Sequence, residues 1–144
     1  MISKFWYRIW ITRRRARCFA RRFPDIRVCA RREIPIVAVK VQDVIVDFLL
    51  AVPGYEENII ERAMLRDLGG WSAWICAPED FVVQKMIAGR SKDLADVENI
   101  LAVQRGQLDC AYIREWLAQF AGALEQPEIL TEYERRLRLS KKNR

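Results

Sequence analysis

Two charged positions in this chain, one acidic and one basic, have surroundings that suit chemistry. Asp47 interrupts the near-continuous apolar run Val44–Leu50, and a carboxylate held on a rigid strand is a suitable ligand for Mg²⁺. Lys85 falls between Phe81 and Val82 on the apolar face of a predicted helix, where an ammonium group can hold a phosphate. The alternatives are a strand-end carboxylate on an exposed edge for Asp47 and a lysine that reaches solvent along its aliphatic stem for Lys85.

Two aspartates follow this lysine along the chain. Asp93 and Asp96 are one turn apart on the next predicted helix, and the pattern places at least Asp96 near the packed face. Lys85 and Arg90 are the cations within reach. We therefore keep two interpretations, an ion pair that ties the two helices together and a role in binding a ligand.

Several classes of site are excluded or disfavoured by the composition. The chain contains no His, which excludes Ser–His and Cys–His nucleophilic sites and His-ligated zinc. Its four Cys, at positions 18, 29, 76 and 110, form no C-x-x-C pair and match no metal-ligand spacing. No apolar run approaches the ~18 residues of a membrane-spanning helix. These observations predict a reduced, cytoplasmic protein whose Cys residues are small buried hydrophobes.

The net charge of +6 is unevenly distributed. Residues 1–32, which we call the basic arm, carry ten Arg and one Lys against the single acid Asp25, whereas residues 33–144 have a net charge of −4. Aromatic residues such as Trp6 and Trp10 lie among these arginines, and this combination predicts binding to nucleic acid or to an anionic membrane surface. The alternative is a solvated arm without a partner.

The elements that must position these residues follow an α+β pattern. We predict strands over 36–41 and 44–52, a helix over 55–68 ended by Gly69-Gly70, and a short strand over 71–76. Helices follow over 78–88 and 92–103, then one capped by Asp109 and one that begins at Pro127. The predicted organisation is the basic arm (1–32), a single domain over 33–139 with a hairpin, helix and strand over 33–76 and a helical part over 77–139, and a polar tail over 140–144.

A long motif within these elements is similar to that of a known family. Val46-Asp47-Phe48 closes a strand, and the block P-E-D-x-x-x-x-K-x-x-A-G-R-x-K-D-x-x-D extends from Pro78 to Asp96. With these residues, the segment 46–137 resembles the nucleotidyltransferase-fold proteins of the AbiEii-like, abortive-infection toxin type.

The resemblance implies a partial polymerase β-like fold, in which a small mixed sheet is followed by a helical C-terminal half. It also implies transfer of a nucleoside monophosphate from an NTP to an RNA or protein acceptor, with Mg²⁺ as cofactor and a cognate antitoxin as partner. By this resemblance Asp47 matches a catalytic, metal-binding carboxylate, Lys85 matches a triphosphate contact, and Asp96 matches an acidic residue of the nucleotide site.

The chain departs from the family pattern before Asp47. The family's glycine turn and D-x-D motif should lie upstream, yet residues 1–46 contain no glycine and no D-x-D. We therefore expect an incomplete metal site, either in a truncated or frame-disrupted member whose arm is not family sequence or in a degenerate homologue that retains the scaffold. A non-catalytic protein that binds nucleic acid or a protein through the basic arm is the alternative. Missing strands would expose a sheet edge and favour self-association.

Overall fold

The computed structural model describes residues 7–11, 27–31, 34–41, 44–51, 54–104 and 106–142. The chain divides into two compact units, residues 1–63 and 64–144. This division lies inside the segment 33–139, which the sequence pattern treats as one domain. No helix in the described ranges is long and apolar enough to cross a membrane.

The first unit contains a four-stranded mixed sheet. Its strands are β1 (Tyr7–Ile11), β2 (Arg27–Arg31), β3 (Ile34–Val41) and β4 (Val44–Leu50), in the order β1-β4-β3-β2. β1 is parallel to β4, and the other two pairs are antiparallel. The antiparallel pairing of β3 with β4 confirms the predicted hairpin. Its β-branched runs suit a pleated surface. β1 and β2 lie within the basic arm, where no strand was predicted.

The predicted helix over 55–68 is wrong in its second half. Helix α1 (Tyr55–Glu61) ends early, and β5 (Met64–Asp67) pairs antiparallel with β6 (Ser72–Ile75) in the second unit. Gly69 and Gly70 form the hairpin turn instead of a helix stop. Both have positive φ, 82° and 97°, and their N–H groups donate to the Asp67 carboxylate at 3.0 and 3.2 Å. This local capping favours the hairpin over a longer helix.

Helices make up the rest of the second unit in the predicted order. They are α2 (Pro78–Ala88), α3 (Ser91–Val103), α4 (Cys110–Ala123) and α5 (Glu128–Lys142). Pro78 occupies the first turn of α2, and Gly89 ends it with a φ of 62°. The Asp109 carboxylate accepts the N–H groups of Ala111 and Tyr112, both at 3.0 Å, which confirms the predicted cap. α5 continues to Lys142, so the tail predicted from residue 140 begins later.

The core of the second unit lies between these helices. α2 contacts α3, α4 and α5, and α5 also contacts α3 and α4. Each helix supplies apolar side chains that are fully buried, among them Val82, Val83, Val97, Ile113, Leu117 and Tyr133. α2 is therefore central to this packing, since it contacts each of the other three helices of the unit.

Candidate functional site

Lys85 lies near the C-terminal end of α2, on the side of Phe81. Its Nζ is 5.2 Å from the centroid of the Phe81 ring, a distance at which a cation interacts with the aromatic face. The side chain is 25% exposed. The sequence prediction that this ammonium group lies beside the apolar face of its helix is therefore confirmed, and the group retains access to solvent.

Two carboxylates from α3 accept hydrogen bonds from this ammonium group. Nζ donates to Asp93 Oδ1 at 3.0 Å and to Asp96 Oδ2 at 2.6 Å. An ammonium group has three N–H donors, so these two bonds use two of them. The structure thus brings Lys85, Asp93 and Asp96 together and shows the ion pair between helices that the sequence left as one of two interpretations.

Arg90 completes this cluster of charges from the other side of Asp93. It is the residue before α3, and its Nε and Nη2 both donate to the Asp93 carboxylate, the latter at 3.1 Å. The Asp93 side chain is fully buried, whereas that of Asp96 is 43% exposed. The sequence placed Asp96 nearer the packed face, but the face of α3 that meets α2 at its first turn carries Asp93.

These contacts fix the ionisation of the cluster. The hydrogen bond from Arg90 holds the pKa of Asp93 at about 2, with Lys85 acting in the same direction and burial opposing both. Burial by itself lowers the pKa of Lys85, but the hydrogen bonds to Asp96 and Asp93 outweigh it and the pKa is raised. The ion pairs join two basic side chains, Lys85 and Arg90, to two acidic ones, Asp93 and Asp96, so the formal charges of the cluster cancel.

Acid should destabilise the folded chain through these carboxylates. The pKa of Asp93 is about 2 in the folded chain, against an ordinary value of 3.8. Between these two pH values the unfolded chain therefore binds more protons than the folded chain. The stabilisation is complete above the ordinary value and is lost as the pH falls toward about 2. We expect a loss of about 2 kcal/mol from this group, measured as the free energy of unfolding in urea at a series of pH values.

The Asp93→Asn variant is the control for this acid prediction. Its stability should fall less steeply over the same pH interval, because asparagine does not titrate. Glu132 is a second acid-sensitive group, since hydrogen bonds from Arg135 and Arg136 hold its pKa at about 2 despite partial burial. The part of the dependence of stability on pH that comes from Glu132 should remain in the Asp93→Asn variant. Identical slopes for the variant and the wild type would contradict the assignment to Asp93.

Two further carboxylates anchor the start of α2. The Tyr112 hydroxyl donates to Asp80 at 2.6 Å, and the backbone N–H of Asp109 donates to Glu79 at 3.2 Å. Asp80 is fully buried and Glu79 nearly so. From the sequence, Glu79 and Asp80 are recognisable only as acids placed favourably at the positive end of the helix dipole. Their hydrogen-bond partners lie about 30 positions away, so no local pattern reveals them.

The described cysteines are free thiols. Cys76 and Cys110 are half-buried, so they fit the predicted apolar role only in part. Burial raises the pKa of Cys76, and the nearby charge of Asp80 acts in the same direction. A raised thiol pKa disfavours the reactive thiolate at neutral pH.

Asp47 lies in the first unit, on β4. Its register neighbours are Ala38 on β3 and Arg8 on β1, and β1–β4 contain no other acidic residue. No group of three potential metal-ligating side chains occurs among the residues that the structure describes. A two-metal centre needs several carboxylates around the ions, so the donor set on these strands does not fit one.

A comparison with protein families identifies the relatives of this sequence. The model of a family described as "nucleotidyl transferase of unknown function (DUF2204)" matches residues 25–134. The chain belongs to this family. The search of curated proteins gave no match.

The matched residues 25–134 include Asp47, Lys85, Asp93 and Asp96. The match begins at residue 25, upstream of the segment 46–137 that carries the sequence resemblance. β2 and the end of the basic arm therefore belong to the family match as well. The description covers the nucleotidyltransferase character of the chain and names no toxin, acceptor or metal.

Proposed function

We propose that the chain binds a nucleoside triphosphate through Lys85 as a nucleotidyltransferase of the AbiEii-like toxin type. The observation that carries this proposal is a partly exposed lysine, held by two aspartates, inside the segment that matches a nucleotidyl transferase family. The transferred group would be a nucleoside monophosphate and the acceptor an RNA or a protein. A cognate antitoxin and a cytoplasmic location are parts of the same proposal.

Lys85 is suited to this role by the way in which its ammonium group is held. Asp93 keeps it in place from the buried side and is itself held by Arg90, while Asp96 contacts it from the more exposed side. A phosphate can take the remaining N–H donor or replace Asp96 as acceptor, and a lysine binds phosphate as a point charge. Asp96 is then placed to contact the nucleotide itself.

The neutral charge of the cluster has a consequence for affinity. Phosphate binding here cannot depend on a net positive field, so it must use the directed hydrogen bond from Lys85. Without Asp96 as a competitor, Lys85 would be freer to bind phosphate, whereas without Lys85 the site would repel it.

Asp47, on β4 of the first unit, is proposed as the catalytic carboxylate and as a ligand of Mg²⁺. Because the strands supply no second carboxylate, we propose that group transfer is impaired in this chain while nucleotide binding is retained. Self-association through β1 or β2, the outer strands of the sheet, belongs to the same proposal.

The alternative function is non-catalytic binding of nucleic acid or an acidic protein through the basic arm. It is supported by the charge of that arm, ten Arg and one Lys against one Asp. Binding by several arginines weakens steeply as salt concentration rises, whereas nucleotide binding at Lys85 depends on that one residue. Salt titration therefore separates the two functions.

Calorimetric titration of each NTP with Mg²⁺ into the purified chain tests the proposed function. We expect binding of at least one NTP and a loss of affinity of about tenfold or more in Lys85→Ala. A separate titration with Mg²⁺ alone should show weaker Mg²⁺ binding in Asp47→Asn than in the wild type. Lys141→Ala is the matched control, because Lys141 is exposed near the end of α5. Absence of NTP binding by a folded chain, or equal losses in both lysine variants, would contradict the proposal.

A further inference from the structure

The register of the first sheet sorts its charged residues onto one face. Arg8 on β1 is level with Asp47 on β4, Asp47 is opposite Ala38 on β3, and Ala38 is opposite Arg27 on β2. Residues in one such row lie on the same face of a sheet. Three charged positions therefore share one row that crosses all four strands.

The other charged strand positions lie on the same face. Lys40 is two residues from Ala38 on β3, and Arg31 is four residues from Arg27 on β2, so the two-residue alternation keeps both on the face of Asp47. We call this side of the sheet the charged face, with Arg8, Arg27, Arg31, Lys40 and Asp47 as its charged members.

The opposite side of the sheet carries apolar positions throughout. Phe48 belongs to it and is only 8% exposed, which identifies it as the packed side. The remaining positions of this side are Tyr7, Ile9, Ile11, Val28, Ala30, Pro35, Val37, Val39, Val41, Val44, Val46 and Leu50. All five charged positions of the four strands therefore lie on the charged face, which also carries the apolar positions Trp10, Cys29, Ile34, Ile36, Ala38, Ile45 and Leu49.

The net charge of this arrangement is suited to phosphate. Asp47 is the single anion among four cationic positions, so the face has a net charge of +3. A positive field attracts polyanions.

The spacing of the basic positions favours a chain of phosphates over a single triphosphate. Strands about 4.8 Å apart put Arg8 and Arg27 about 14 Å from each other across the sheet. Along β2, a rise of about 3.3 Å per residue puts Arg27 and Arg31 about 13 Å apart. The phosphorus atoms of a triphosphate are joined through single oxygens and cannot reach all of these positions at once, whereas successive backbone phosphates of a nucleic acid can.

We propose that the charged face binds the phosphate backbone of single-stranded RNA without a divalent metal. Trp10, on the same face and two residues from Arg8, adds an aromatic position of the kind on which bases stack. RNA binding by this face does not depend on NTP binding at Lys85. Only the further step, in which the bound RNA serves as the acceptor, rests on the proposed function.

Fluorescence anisotropy of a labelled oligouridylate of about 12 nucleotides tests the proposal in EDTA. Wild-type chain should bind it, and the logarithm of affinity should fall linearly with that of salt concentration. The double variant Arg27→Gln with Lys40→Gln should bind at least tenfold more weakly and lower the slope by about 1.4, or ~0.7 for each lost phosphate contact. Exchange of the two cations, Arg27→Lys with Lys40→Arg, should retain most of the affinity.

The double variant Arg13→Gln with Arg15→Gln is the charge-matched control in the basic arm, and it lies outside the described residues. An effect of the charged-face variant no larger than that of this control would overturn the proposal. RNA binding by the wild type that needs Mg²⁺ would overturn the proposal as well. This measurement does not depend on the folding of any variant.

Competition with ATP in EDTA decides between the two sources of phosphate. We expect RNA to stay bound when ATP is added at the same total phosphate concentration, and its displacement would overturn the choice of RNA as ligand. Lys85→Ala should bind RNA as the wild type does. Failure of NTP binding at Lys85 and failure of RNA binding at the charged face are therefore separate results.

Discussion

Replacement of Asp93 by alanine is expected to lower the free energy of unfolding by about 3 kcal/mol. The Asp93 carboxylate is fully buried and accepts hydrogen bonds from Lys85 and from two nitrogens of Arg90. Its removal leaves the partly buried ammonium group of Lys85 with Asp96 alone, and breaking a buried ion pair on one side costs more than the pair itself contributes. Urea unfolding followed by circular dichroism measures the loss.

Asp96→Ala is the matched control for this prediction. The Asp96 side chain is 43% exposed, and an exposed ion pair contributes about 0–1 kcal/mol. We expect the Asp93 variant to lose at least twice as much stability as the Asp96 variant. Equal losses would show that Asp93 is no better anchored than a surface carboxylate and would remove the basis for treating it as the support of Lys85.

Leu117→Ala should have an effect of similar or larger size, a loss of about 3 kcal/mol or more in the free energy of unfolding. The Leu117 side chain is fully buried on α4, the helix that packs against α2. Alanine removes its contacts and leaves a cavity that the neighbouring helices close only in part. Thermal and urea unfolding would both report the change.

Leu139→Ala supplies the comparison for the core variant, because it is the same substitution on a helix at a residue that is 46% exposed. Its expected loss is below about 1 kcal/mol. A loss in the Leu117 variant that does not exceed the loss in the Leu139 variant would mean that α4 does not pack as the structure has it. NTP affinity of Leu117→Ala at low temperature should follow the fraction that remains folded.

The helices of the second unit could be predicted from sequence because their signals are local. Pro78 begins α2, Gly89 ends it, and Asp109 caps α4 through its own neighbours. Each of these effects acts within one turn, so the sequence near the helix end contains all that is needed. The predicted range 78–88 therefore agrees with the structure at both ends.

The segment from Met64 to Ile75 could not be assigned from the same kind of pattern. Apolar residues at 59, 60, 63, 64 and 68 satisfy a helical period, although β5 begins at Met64. The hairpin is favoured by the Gly69-Gly70 turn, whose N–H groups the Asp67 carboxylate accepts, and by the pairing of β5 with β6. A search for helical periodicity detects neither feature. A short strand carries too few residues for its alternation to compete with such a period.

The site itself was only partly predictable. Lys85 and Asp96 were singled out from the sequence, and the contact between them is present. Burial of Asp93 rather than Asp96 depends on which side of α3 meets α2, and that is a property of helix packing rather than of spacing. The Asp80–Tyr112 hydrogen bond is likewise set by tertiary structure, since its partners are 32 positions apart.

The most direct test of nucleotide binding at Lys85 is the NTP affinity of Lys85→Ala relative to that of Lys141→Ala, each measured by calorimetry with Mg²⁺ on protein shown to be folded. Both variants remove one lysine charge, but only Lys85 lies in the cluster with Asp93 and Asp96. We expect a loss of about tenfold or more in affinity for Lys85→Ala and an unchanged affinity for Lys141→Ala. Equal affinities in the two variants, or no NTP binding by the folded wild type, would contradict this expectation.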